Sequence, residues 1–83
     1  MTDSAARPPA ADVDLDCRGL NCPLPVLRTK KALDGMSAGQ VLRLVATDPG
    51  SVADMAAFSR RTGNALLDQS ASGGEFVFFL RKA

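Results

Sequence analysis

The chemistry available to this chain is concentrated in two thiols, Cys17 and Cys22. Histidine, the commonest general base and metal ligand, is absent from all 83 residues. Cysteine hydrolases built on a Cys-His pair, serine triads and histidine-ligated metal sites are thereby excluded within the chain. Cys22 opens the run Cys22-Pro23-Leu24-Pro25. Proline suits the first helical turn, where the amide hydrogens have no intrahelical partner, so Pro23 and Pro25 mark a helix start. Cys22 is therefore expected at the positive end of a helix dipole, where the thiolate is favoured and the thiol pKa is lowered. The two prolines stiffen the turn that carries the sulfur. This combination suits a nucleophilic or sulfur-carrying thiol better than a core filler.

Cys17 has the opposite balance. It shares strand parity with Val13 and Leu15, which turns it toward a core. Its alternative role is a resolving thiol for Cys22 across the Arg18–Asn21 loop. A metal site is not expected: two sulfurs are half a tetrahedral set, and no histidine completes it. No cofactor is called for. Among the carboxylates, Asp12, Asp14 and Asp16 are expected to solubilise one strand face, while Asp48 and Asp54 read as turn and cap residues. Asp48 also ends a central strand, an edge where open α/β sheets place function. Arg28 and Lys31 lie on the helix that begins at Cys22. They are either solvated charges or a docking surface for an acidic partner.

These residues must be held by a small set of elements. Residues 1–11 are small and polar with Pro8-Pro9, and read as a disordered tail ahead of a domain over 12–83. From Asp12 an apolar-polar alternation marks a half-buried strand. A helix then runs to about Asp34, with Val26, Thr29, Leu33 and Met36 on one side, Arg28 and Lys31 on the other, and a left-handed cap at Gly35. Residues 40–47 read as a central strand with apolar residues on both faces. Ser51-Val52-Ala53-Asp54 has the form of a capping box. The helix it opens turns Val52, Met55, Ala56 and Ser59 inward and stops at Gly63. Strands over 65–70 and 76–81 are joined as a hairpin across Ser72-Gly73-Gly74. The order is β-α-β-α-β-β, and one four-stranded sheet with both helices on one face is its simplest packing. Val41, Val45, Val77 and Phe79 are then left on an apolar outer face.

Composition narrows the partners. The net charge is +1, Trp and Tyr are absent and Phe numbers four, so direct nucleic-acid binding is not expected. No apolar run approaches the roughly 20 residues of a membrane helix, and the N-terminus lacks a signal-peptide pattern. The expected address is cytoplasmic, with reduced thiols.

At Gly19-Leu20-Asn21-Cys22-Pro23-Leu24-Pro25 the sequence resembles the TusA, or SirA-like, family of sulfur carriers, whose mark is a Cys-Pro-x-Pro motif. The Asp14-Leu15-Asp16 strand opening, the Thr47-Asp48-Pro49 step and the Phe-rich last strand ending in Arg81-Lys82 extend the resemblance over residues 12–83. It implies a two-layer α/β (α+β) sandwich with a mixed sheet. It also implies that Cys22 holds sulfane sulfur as a persulfide, framed by Pro23 and Pro25. The implied donor is a cysteine desulfurase or a rhodanese-like protein, and a downstream acceptor protein receives the sulfur. Family members feed tRNA wobble-uridine thiolation, molybdenum-cofactor metabolism or sulfur oxidation. Such a chain is a sulfurtransferase-type carrier rather than a self-sufficient enzyme. Two other readings remain open: a Cys17/Cys22 redox element and a non-catalytic interaction module.

Overall fold

The computed structural model describes residues 10–83, so most of the expected tail lies outside the described residues. The elements follow the expected order: β1 (Val13–Cys17), α1 (Leu24–Asp34), β2 (Val41–Ala46), α2 (Ser51–Thr62), β3 (Ala65–Ser72) and β4 (Glu75–Arg81). They form one mixed sheet in the order β1-β2-β4-β3. β1 runs parallel to β2, and β4 runs antiparallel to both β2 and β3. The parallel pair requires a crossover, which α1 supplies, while the antiparallel pair closes through a tight turn. That turn is Gly73-Gly74, with φ of 59° and 79°. Two consecutive left-handed residues are what a two-residue hairpin needs and what side chains resist.

Register explains which face is buried. Val13, Leu15 and Cys17 pair with Leu42, Leu44 and Ala46, which pair in turn with Leu80, Phe78 and Phe76. This face meets Thr29 and Leu33 of α1 and Met55 and Phe58 of α2. The two helices pack on it side by side, giving the expected two-layer α+β sandwich. β2 is central, but only its inner residues are fully buried; Val41, Arg43 and Val45 on the outer face are half-buried. Phe79, on the same outer face, is only 5% exposed. Arg43 reaches Asp14 at 3.5 Å, so the outer face is apolar at its centre and charged at its margin.

Three local expectations are corrected. Gly35 is not left-handed, with φ −90°. α1 instead ends in a tightened turn in which Gly35 N–H donates to Ala32 O and Met36 N–H to Leu33 O. The left-handed cap occurs on α2, at Gly63 with φ 79°. The inward face of α2 is Ser51, Met55 and Phe58, with Val52 left 38% exposed. These positions share one helical stripe, and it is anchored by Phe58, the largest apolar side chain of that helix. The capping box does not form either. Gly50 is the N-cap, and the buried Ser51 hydroxyl has no partner.

Candidate functional site

The chain leaves β1 through a turn fixed at its first step. The Asp16 carboxylate accepts the Arg18 backbone N–H at 3.0 Å and the Arg18 Nε–H at 2.9 Å. Arg18 also lies 3.6 Å from Glu75. The arginine lowers the Asp16 pKa to about 2, through side-chain and then backbone hydrogen bonding. A carboxylate depressed in this way contributes stability above its unfolded value of about 3.9 and loses it as pH falls. The acid limb of stability is therefore expected to extend down to about 2. In a carboxyl NMR titration, Arg18→Ala is expected to move the Asp16 midpoint back toward the ordinary carboxylate range, with the part of the depression that comes from the residue-18 backbone N–H retained.

Beyond that turn, the end of β2 takes hold of the motif. Thr47 Oγ1 accepts the Gly19 N–H at 2.8 Å, and Asp48 Oδ2 accepts the Cys22 N–H at 2.9 Å across 26 residues of sequence. Asp48 Oδ1 accepts the Gly50 N–H at 3.4 Å, and the Asp48 carbonyl accepts the Ser51 N–H at 2.9 Å. One aspartate thus ties the cysteine turn to the start of α2. The Cys22–Pro23 peptide bond is cis. Pro23 is the N-cap of α1 and Pro25 its buried second residue, so both prolines stand at the helix start. Cys22 is exposed. Leu24 and Leu27 beside it are 43% and 55% exposed, and Arg28 and Lys31 are exposed further along α1. Two surface grooves lie elsewhere, one around Asp16, Arg43 and Glu75 and one around Val52, Ala71 and Phe76; Cys22 lines neither.

The electrostatics at Cys22 reverse the expected sign. Its thiol is pushed up, not down, first by hydrogen bonding to the Asp54 carboxylate, then by desolvation, then by the charges of Asp54 and Asp48. The helix dipole contributes about half an elementary charge at best, against two full carboxylate charges. The donors that make up its positive end are also depleted here. Pro23 and Pro25 have no N–H, and the Leu24 N–H is taken by Asn21 O at 2.8 Å. The surroundings of Cys22 therefore favour the thiol over the thiolate. Asp54 was read from the sequence as a cap residue, and nothing local signals its approach to Cys22, because α2 brings it there.

Cys17 is 0% exposed in the core, and burial pushes its thiol up. The two thiols are free, one buried and one exposed. Among the described residues no cluster of three or more metal-ligating side chains is present, and no helix is long and apolar enough to cross a membrane.

An exposed thiol in a Cys-Pro-x-Pro turn, clamped to the end of a central strand in a β-α-β-α-β-β sandwich, can be set beside known proteins. Residues 13–82 match the family described as Sulfurtransferase TusA. The chain belongs to the TusA family. It is 56% identical over 72 residues to the Sulfur carrier protein TusA of Allochromatium vinosum, covering 87% of this chain and 95% of that protein. It is 38% identical over 71 residues to the Sulfur carrier protein TusA of a Pseudomonas putida strain, covering 86% and 89%. The crystal structure of the SirA-like protein from Desulfitobacterium hafniense superposes with a TM-score of 0.73 at 24% identity, over 83% of this chain and 95% of that one. That likeness establishes the shared fold, and the TusA relatives place the chain among sulfur carriers.

Proposed function

We propose that Cys22 is the sulfur-bearing residue of this carrier. It receives sulfane sulfur as a persulfide from a cysteine desulfurase or a rhodanese-like protein and relays it to an acceptor protein. The observation that carries the reading is the clamp on Cys22. The cysteine is presented at the surface by the Asp48 hydrogen bond and framed by Pro23 and Pro25. In loading, the Cys22 thiolate attacks the terminal sulfur of the donor's persulfide, the donor's S–S bond breaks, and the donor cysteine leaves as a thiolate. No net oxidation occurs, and the step is of the same kind as thiol-disulfide exchange.

A carrier must meet donor and acceptor in turn, and an exposed sulfur serves this better than one in a closed pocket. Leu24, Leu27, Arg28 and Lys31 form the surface beside it, which we assign to docking of these proteins. The acceptor belongs to tRNA thiolation, molybdenum-cofactor or sulfur-oxidation chemistry, and the exchange takes place in the cytoplasm. Incubation with a cysteine desulfurase and cysteine, or with a rhodanese and thiosulfate, is expected to add one sulfur atom to the intact mass. The gain should be reversed by dithiothreitol. An unchanged mass with both donor systems would sink the proposal.

A further inference from the structure

Cys22 lies in a stretch with little packing to hold it. Asn21, Cys22, Pro23 and Leu24 are all exposed, between Leu20, which packs against the core, and Pro25, which is buried. The place of the sulfur must therefore come from hydrogen bonds, and two of them reach from this turn to the end of β2. Thr47 Oγ1 accepts the Gly19 N–H at 2.8 Å, and Asp48 Oδ2 accepts the Cys22 N–H at 2.9 Å. Only the second acts on the cysteine itself. The half-buried Asp48 is not free to swing, because its Oδ1 accepts the Gly50 N–H at 3.4 Å and its carbonyl accepts the Ser51 N–H at 2.9 Å. Ser51 is buried at the start of α2, so one side chain fixes the exposed cysteine against a packed helix.

Resting on the reading of Cys22 as the sulfur bearer and of the α1 surface as the docking face, we propose that Asp48 is a positioning residue that sets the Cys22 sulfur relative to that face. Leu24, Leu27, Arg28 and Lys31 fall on one side of α1 by helical spacing, and all four are exposed. A donor protein seated on them brings its persulfide to Cys22 from one direction only. Exchange then requires the Cys22 sulfur to lie in line with the S–S bond that breaks. The Cys22 thiolate forms its bond to the terminal sulfur, the donor S–S bond breaks, and its electron pair leaves with the donor cysteine sulfur. Asp48 neither gains nor loses a proton in the step; its work is done through the backbone of residue 22.

A positioning role separates two kinds of donor. A small donor that diffuses freely can approach an exposed sulfur from many directions, so the exact place of Cys22 matters little to it. A docked protein donor has no such freedom. Loss of the Asp48 carboxylate should therefore spare the first reaction and slow the second. The Asp48 charge also disfavours the Cys22 thiolate, so its removal does not slow the attack by making the thiol less reactive.

The test uses the full chain and two sources of the same sulfur, each followed by intact mass over time. One is glutathione persulfide; the other is a persulfide-carrying cysteine desulfurase or rhodanese, whichever loads the wild type. Asp48→Ala is expected to load from glutathione persulfide at least as fast as wild type. From the protein donor its maximal rate should fall by on the order of a hundredfold, the cost of a misplacement of about 1 Å. The half-saturating donor concentration should stay unchanged, because the α1 surface is intact. Asp48→Asn keeps an oxygen acceptor for the Cys22 N–H and should recover much of that rate. Phe79→Ala, a destabilising change away from the turn, should load from both donors like wild type below its Tm. Wild-type loading of Asp48→Ala by the protein donor overturns the proposal, as does an equal loss with both donors or a loss confined to the half-saturating concentration. An Asn variant no better than Ala, or a Phe79→Ala protein with the same selective defect, also overturns it. Sulfur loading that persists in Cys22→Ser overturns the assignment of Cys22 instead, so the two failures are distinct.

Discussion

Cys22→Ser is expected to take sulfur loading to background while leaving the fold intact. A hydroxyl oxygen is no substitute for a thiolate in sulfur exchange, so the loss should be complete rather than graded. The fold should survive because Cys22 is exposed and outside the core. The backbone hydrogen bond from residue 22 to Asp48 is also independent of the side chain. Cys17→Ala gives the complementary result: loading should stay near wild type. Stability should fall by roughly 1 kcal/mol or somewhat more, since a fully buried sulfur is deleted from the inner face of β1. Intact mass after desulfurase treatment and a thermal melt of each variant separate the two outcomes. A Cys17→Ala protein that folds but cannot be loaded would favour a two-thiol mechanism over a single carrier thiol.

The contrast between the two cysteines was legible in the sequence. Strand parity with Val13 and Leu15 puts Cys17 inside, and the prolines after Cys22 put that residue at a helix start. The order of elements along the chain and the Gly73-Gly74 hairpin could be read for the same reason: period-two alternation and consecutive glycines are local signals. What could not be read was the sign of the field at Cys22. The helix-dipole argument counts only neighbours in sequence, and the groups that decide the matter, Asp48 and Asp54, arrive from the far end of β2 and from α2. The inward face of α2 was misread for a related reason. Val52 is apolar, yet it lies outside the stripe of Ser51, Met55 and Phe58 that the sheet covers. A hydrophobic residue near a helix start has no local signal that tells it which side the sheet occupies.

Phe78→Ala is expected to be the most damaging of the core truncations. Phe78 is fully buried in β4, opposite Leu44 on one side and Gln69 on the other, within the cluster that includes Leu42, Leu80, Met55 and Phe58. Truncating a phenylalanine in a closed core costs about 3–5 kcal/mol, because the transfer energy of the ring is lost and the cavity only partly collapses. A chain of this length has about 4–12 kcal/mol in total, so the variant should be marginal, with Tm lowered by roughly 12 °C or more. Phe79→Ala should cost less. Its ring is on the outer face beside half-buried valines, where solvent and the flexible Arg43 side chain can relax into the space. A Phe78→Ala variant that melts within a few degrees of wild type would show that β4 is not the keystone of the core. The same variant separates stability from function. The clamp on Cys22 is made by Thr47 and Asp48 at the end of β2, which β1 braces through the pairing of Cys17 with Ala46. Well below its Tm, loading per folded molecule should therefore match wild type, and a loading defect there would mean that the β4 core transmits its packing to the cysteine turn.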